Sequence, residues 1–464
     1  MTSEQSSPER TDRTLPAAFL DMIAAYPALA GLSDALLSPP DVSVRINAAK
    51  GAAVPADADR IPWCADGFYL SERPQFTFDP ALHQGLYYVQ DASSMVLDYV
   101  ARRLVSPGEP VRWLDACAAP GGKSTAILSA LPEGSLLVAN EFVRKRAAAL
   151  VENLERWGSA NVVITNTDTQ AFTQLPEFFD IVSVDAPCSG EGMMRKEAVA
   201  VSQWSPALVA QCAALQREIV ANIWEALRPG GYLVYSTCTF NPDEDERNVA
   251  WMMQELGAEP VDMGLDALPG VIGPVEGTIP CARFIPGKVR GEGLFIAVMR
   301  KPGEGRAKTI NAKKIKSLPT KAGKPINEWL VGDYAIMPGT LRAIPASLAI
   351  AIAQVAQVTP LIHAGIDTGM AKGRDVIPSY ALAHANNLNT NAFPTVEVDY
   401  NTAIDYLRGM PITLSDAPRG IVLLTYRSHP LAFAKNIGSR ANNLMPSNRR
   451  ILSPHTPDIP PAIL

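Results

Sequence analysis

From Val111 onward, short apolar runs alternate with stretches of helical periodicity. Val111 to Cys117 reads as a strand, and a helical pattern follows from Ser124 to Leu131. Ser135 to Asn140 is a second strand, leading into a helix over Val143 to Trp157. Asn161 to Asn166 and Asp180 to Asp185 read as a third and a fourth. The long helix Pro206 to Leu227 stops at Arg228-Pro-Gly-Gly231, a helix-ending signal, before strand Tyr232 to Thr239 and helix Asp243 to Leu256. Arg283 to Pro286 and Gly293 to Met299 look like a closing antiparallel pair. Strands separated by helices of this length predict an α/β domain with a mostly parallel, doubly wound sheet and right-handed crossovers.

Either side of this domain the pattern changes. Residues 1–14 are polar and predicted to fray, and helical spacing then runs through Phe19, Met22, Ile23 and Tyr26. A second short helix covers Leu32 to Leu37, and Val42-Ser-Val-Arg-Ile46 alternates like a strand. Trp63 to Leu70 and Phe76 to Phe78 suggest further strands, and Tyr87 to Asp91 bridges into a helix over Ser93 to Leu104. Residues 1–105 therefore read as a small α+β region and 106–302 as the alternating domain. Residues 303–345 read as a basic linker and connecting segment. Within residues 301–324, Lys301, Arg306, Lys308, Lys313, Lys314, Lys316, Lys321 and Lys324 are opposed only by Glu304, a pattern suited to tracking a phosphate backbone. A helix from Ala346 to Val355 and β-like runs such as Gly420 to Tyr426 make 346–464 a separate C-terminal region with a basic end.

The composition narrows the function classes. The chain has 464 residues, enough for several domains, and its net charge of −6 argues against nucleic-acid binding spread over the whole surface. A local basic face is still open to it. No apolar run reaches eighteen residues and the start has no apolar core, so a cytoplasmic protein without membrane contact is expected. The six cysteines include no C-x-x-C pair and the five histidines no i, i+4 pair, so neither a metal site nor a disulfide framework is predicted.

Candidate chemistry gathers at strand ends. Asp115 closes the first strand, and Cys117-Ala118-Ala119-Pro120-Gly121-Gly122-Lys123 turns into the next helix, where open α/β sheets bind ligands. The glycines allow a sharp turn and close approach, and the helix N-terminus favours an anion. The same residues fit a P-loop except that Cys117 stands in place of its first glycine, so an ATPase is a competing reading. Glu141 closes the second strand, where a carboxylate can accept ribose hydroxyls, and Asp168 follows the third, where it can meet an adenine amino group. Several acids along one crevice favour an adenosine ligand over a phosphate-gripping loop. Asp185-Ala-Pro-Cys188 presents one thiol past the fourth strand, and Tyr235-Ser-Thr-Cys238 presents another past the next. Two thiols and an acid beside an adenosine site suit attack on carbon 6 of a pyrimidine, which makes carbon 5 nucleophilic toward a methyl donor. Asp185 would then meet the ring edge, as a donor to N3 when protonated or as an acceptor for N4–H₂.

Asp115-Ala-Cys-Ala-Ala-Pro-Gly-Gly-Lys123, Asp185-Ala-Pro-Cys-Ser-Gly190 and Ser236-Thr-Cys-Thr239 resemble the motifs of the Nop/Sun family of RNA cytosine-C5 methyltransferases. The resemblance implies a Rossmann-like domain that uses S-adenosylmethionine and forms 5-methylcytosine. It carries the nucleophile onto Cys238, product release onto Cys188, and support of the acid and substrate onto Lys123. It carries cofactor contacts onto Cys117 to Lys123, Glu141, Asp168 and Asp185. Ser43-Val-Arg-Ile-Asn47 and Gly85 to Ser94 are similar to the family's N-terminal RNA-handling region. Pro378 to Ala383, Tyr406-Leu-Arg-Gly409 and Gly420 to Arg450 resemble the PUA-like RNA-binding tail of the family's bacterial small-subunit rRNA enzymes. A monomer acting on small-subunit rRNA is the resulting expectation. A tRNA substrate and a non-catalytic RNA-binding assembly factor are the alternatives.

Overall fold

The computed structural model describes residues 14–309, 315–373 and 375–464. The start predicted to fray lies outside the described residues as far as position 13, as do Lys313 and Lys314 of the basic stretch.

Five strands form the parallel heart of the molecule: β1 (Arg112–Asp115), β2 (Leu136–Asn140), β3 (Val162–Thr165), β4 (Phe179–Asp185) and β5 (Leu227–Thr237). They lie in the order β3-β2-β1-β4-β5, so the winding direction reverses between β1 and β4. Helices α1 (Gly122–Ala130), α2 (Arg144–Trp157), α3 (Pro206–Trp224) and α4 (Glu246–Leu256) provide cover. Because the sheet is covered on both faces, β2 is buried at every position, which explains its unbroken apolar run. β6 (Glu259–Val261) and β7 (Ala282–Phe284) both pair antiparallel with β8 (Leu294–Arg300), which pairs antiparallel with β5. This Rossmann-like mixed sheet agrees with the α/β expectation.

Two features of β5 differ from the sequence reading. Helix α3 begins as its signals require, with Pro206 in the first turn and the Ser205 hydroxyl accepting from Leu208 N–H at 3.1 Å, but it ends at Trp224. Arg228-Pro-Gly-Gly231 lies within β5 rather than at a helix stop. Leu227 pairs with Phe179, the register then shifts, and Tyr232 pairs with Ile181, so Pro229 and its glycines occupy an irregularity in the ladder. The Arg228 guanidinium donates to Asp180 at 2.6 Å and anchors that irregularity.

The N-terminal sheet has the order Asp59–Arg60, Gly67–Leu70, Val42–Ile46, Tyr87–Val89, all antiparallel. Of the predicted strands, Trp63–Leu70 shrinks to Gly67–Leu70. Phe76–Phe78 is a 3-10 turn, and Tyr87–Val89 is a strand rather than a bridge. The Asp79 carboxylate explains the turn, since it caps the next short helix through Ala81 N–H at 3.0 Å while Phe76 and Phe78 are buried.

The division at 345/346 does not follow the structure. Thr320–Lys321, Tyr334–Ile336, Arg342–Pro345 and Ile366–Asp367 make one four-stranded antiparallel sheet across it. The helix Ala349–Val358 sinks Ile352 and Val355 into the central core, and β9 (Leu361–Ala364) then pairs antiparallel with β3 as the ninth strand of the main sheet. Charge patterning marked a linker here, but the apolar residues of this stretch complete the core. The last region carries the sheet Thr395–Glu397, Gly420–Tyr426, His429–Asn436, Ala441–Asn443 beside the helix Tyr400–Arg408. Among the described residues no single helix is long and apolar enough to cross a membrane.

Candidate active site

The crevice opens at the carboxyl ends of β1 and β4, where the strand order reverses. Asp115 ends β1 and accepts from the Ser124 hydroxyl at 2.6 Å, and burial pushes its carboxyl up to about 6. The loop beyond is held by main-chain bonds, with Ala118 N–H donating to Asn140 C=O at 2.8 Å. Gly121 sits at φ +109°, in the region that favours glycine, and α1 starts at the next residue. Pro120 C=O accepts from the Asn153 side chain at 2.8 Å and Ala119 C=O from Arg146 at 2.8 Å. Cys117 is half-buried, and burial raises its thiol.

Glu141 lies just past β2 and is 3% exposed. One of its oxygens accepts from Val143 N–H at 2.8 Å. The other lies 3.2 Å from Arg146 but makes no hydrogen bond, which leaves a buried acceptor with spare capacity. Asp168 is exposed, and its carboxylate caps the turn Thr169–Gln174 through Gln170 N–H at 2.8 Å. It stands on the crevice side of β3, but part of its hydrogen-bonding capacity is spent locally.

At the other wall, Asp185 ends β4. The Lys123 ammonium lies 2.8 Å from one of its oxygens, and the Ser236 hydroxyl donates to the other at 3.1 Å. Burial works against the charge on Lys123, but the Asp185 carboxylate outweighs it and raises the ammonium's pKa, so the lysine stays charged. Lys123 therefore reaches across to β4 instead of curling into the loop as a phosphate-gripping lysine would. With Cys117 in the first glycine position, that geometry sets aside the ATPase reading. The Sγ atoms of Cys188 and Cys238 meet at 2.9 Å. Contact with Cys238, then burial, raises the Cys188 thiol. Gly192 packs on the same spot: its N–H donates to Cys238 C=O at 2.7 Å, and a Cβ there would lie 2.7 Å from that oxygen. The structure thus brings the strand-end acids, the lysine and both thiols to one crevice.

Several residues of the site escaped the sequence reading. Arg45 is fully buried, and its guanidinium donates to Gln90 at 2.8 Å, to Ser129 at 3.1 Å and to Thr125. It ties the N-terminal sheet to α1 while stacking 4.6 Å over Trp157. The Asp91 carboxylate accepts from Glu292 N–H at 2.8 Å, and the Glu292 carboxylate lies 3.2 Å from Lys196. Two fully buried acids, Glu191 and Glu244, lie behind the thiols. An arginine inside an alternating apolar strand was the available signal for Arg45. Glu191 and Glu244 follow the two cysteine motifs by one and five positions and carry no sequence pattern of their own.

Comparison with known proteins adds to this geometry. Residues 103–300 match the family model for 16S rRNA methyltransferase RsmB/F, residues 15–92 the N-terminal domain of 16S rRNA methyltransferase RsmF, and residues 393–451 the methyltransferase RsmF PUA domain. Ribosomal RNA small subunit methyltransferase F of Enterobacter sp. (strain 638) is 33% identical over 420 residues, with 83% of each chain covered. The same-named protein of Escherichia coli O81 (strain ED1a) is 32% identical over 424 residues, again with 83% of each covered. Among solved structures, a methyltransferase homolog from Pyrococcus horikoshii superposes with TM-score 0.52 at 26% identity, covering 64% of this chain and all (100%) of that one. NSun6 from the same organism, solved with SFG, gives 0.50 at 20% identity over 63% of this chain and 100% of its own, and shows the shared fold. The chain belongs to the ribosomal RNA small subunit methyltransferase F family, and is an RNA methyltransferase with a PUA domain behind its Rossmann-like core.

Proposed function

We propose that the protein transfers the methyl group of S-adenosylmethionine to carbon 5 of a cytosine in small-subunit rRNA, with Cys238 as nucleophile. The observation that carries this reading is the thiol pair at 2.9 Å beside the Lys123–Asp185 ion pair. The donor fits the other half of the crevice. Glu141 offers a buried carboxylate oxygen with no hydrogen bond, and the left-handed Gly121 opens the loop at the N-terminus of α1. Cys117 to Lys123, Glu141, Asp168 and Asp185 would hold that donor, which supplies an electrophilic methyl group. The small-subunit rRNA target comes from the names of the relatives.

Each chain residue then has a step. Cys188, whose thiol is raised, keeps its proton and can donate it in a hydrogen bond to the Cys238 sulfur, whose own proton passes to solvent as it attacks. Cys238 adds to carbon 6, and Asp185, held by Lys123 and Ser236, meets the N3/N4 edge of the ring. After methyl transfer a water takes the carbon-5 proton, the electron pair of that bond restores the 5,6 double bond, and the Cys238 sulfur leaves carbon 6 as a thiolate, assisted by a hydrogen bond from the Cys188 thiol. Label from S-adenosylmethionine should appear as 5-methylcytosine in rRNA lacking the modification, or in small subunits if naked RNA is inert. Cys238→Ala should lower turnover by at least a thousandfold. Cys188→Ala should accumulate a covalent RNA–protein band on a denaturing gel. Labelling on another base, or near-normal rates with Cys238→Ala, would overturn the assignment.

A further inference from the structure

Two acids with no part in the steps above are buried directly behind the thiols. Glu191 is 0% exposed, and one of its oxygens accepts from the N–H groups of Phe240 and Asn241 at 2.6 and 3.1 Å. Its other oxygen accepts from the Asn241 side chain at 2.8 Å and the Trp204 indole at 2.9 Å. Glu244 is equally buried, and one oxygen accepts from Ser189 N–H at 3.0 Å and Gln216 at 2.7 Å. Its second oxygen accepts from the Asn241 side chain at 2.9 Å. Gln216 also donates to Pro187 C=O at 3.0 Å.

The partners fall on two loops. Pro187, Ser189 and Glu191 flank or follow Cys188, and Phe240, Asn241 and Glu244 follow Cys238. Each carboxylate stands on one loop and takes N–H groups from the other, with Asn241 bridging the two. Charge-assisted bonds of this kind are short and directional, and buried networks are rigid when satisfied. The four acceptor bonds at Glu191 and the three at Glu244 leave neither acid free for proton chemistry at the ring. Gly192 N–H to Cys238 C=O and the sulfur contact itself also cross between the loops.

The geometry points to Glu191 and Glu244 as positioning residues that lock the two thiol-bearing loops together and so fix the distance between Cys188 and Cys238. This rests on the reading of those thiols as the nucleophile and its helper, but the lock can be measured without methyl transfer. Diamide takes two electrons and two protons from a pair of neighbouring thiols, joining them as a disulfide and becoming the hydrazine. The rate at which it joins Cys188 to Cys238, followed by peptide mapping of the full chain, reports their proximity directly.

In the wild-type chain this pair should close at least tenfold faster than any other pair among the six cysteines. Glu244→Gln turns one acceptor into a donor facing donors, and should slow closure at least tenfold and kcat at least tenfold. KM for the methyl donor should stay within about twofold, because the donor's half of the crevice is untouched. Asn241→Ala removes the bridge, together with the Oδ1 that accepts from Glu244 N–H at 2.9 Å, and should give the same split, so it serves if Glu244→Gln fails to fold. Wild-type closure rates in either folded variant, or no preferred closure in the wild-type chain, would overturn the lock. If closure slows as expected while Cys238→Ala still methylates, the lock stands and the catalytic reading of the thiols falls.

Discussion

With their sulfurs 2.9 Å apart, Cys188 and Cys238 are in hydrogen-bonding contact, and that contact together with burial raises the Cys188 thiol. Burial shapes the neighbouring acids in the same way. It pushes Glu191 from an ordinary 4.5 up to about 7, against the pull of its N–H donors, and Asp115 up to about 6. An acid that binds its proton more tightly folded than unfolded stabilises the fold fully below its unfolded pKa, and loses that contribution as pH rises through the folded value. Glu191 should therefore cost the protein up to about 3 kcal/mol between pH 4.5 and 7. Urea midpoints at several pH values should fall across that window, and Glu191→Gln should flatten the fall even though it lowers stability overall. An unchanged slope in the variant would place the proton uptake elsewhere.

Among the elements, the N-terminal sheet packs against α1 and the glycine turn, where the methyl donor is proposed to bind. Its strand Val42–Ile46 sends Arg45 into α1, and Tyr88 lies 3.5 Å from Pro120 C=O. Arg45→Met keeps the apolar stem but strands Gln90, Thr125 and Ser129. Losing hydrogen bonds to a buried charge should cost about 2–4 kcal/mol. The variant should also bind the methyl donor more weakly, which calorimetric titration would read. Unchanged donor affinity would limit Arg45 to a structural part. The central strands and the glycine turn were legible because apolar runs ending in acids and a Pro-Gly-Gly turn are local signals. Pro229 and its glycines misled because the same residues punctuate a helix end and a break in a strand. Arg45, Glu191 and Glu244 were hidden because most of their partners lie 28 to 84 positions away, on elements whose approach only the fold creates.

For the whole molecule, the three regions do not separate at the limits drawn from composition. Ile352 and Val355 complete the central core, β9 covers the edge of β3, and Arg449 pairs with Glu152 and Glu155 on α2. A chain ended at residue 302 keeps every proposed catalytic side chain but bares both that edge and an apolar face. It should be largely insoluble, whereas a chain carrying residues 14–464 should not, and the soluble fraction after expression checks this. Equal solubility would make the C-terminal part dispensable to the core. Synthesis gives β9 a further consequence. Chains emerge from the ribosome N-terminus first, so β1 to β8 are available long before Leu361 to Ala364 leave the exit tunnel. The nascent protein must carry a bare β3 edge through that interval, so slow translation or a pause before residue 361 would raise its loss to aggregation, and a chaperone holding that edge would be its natural escort.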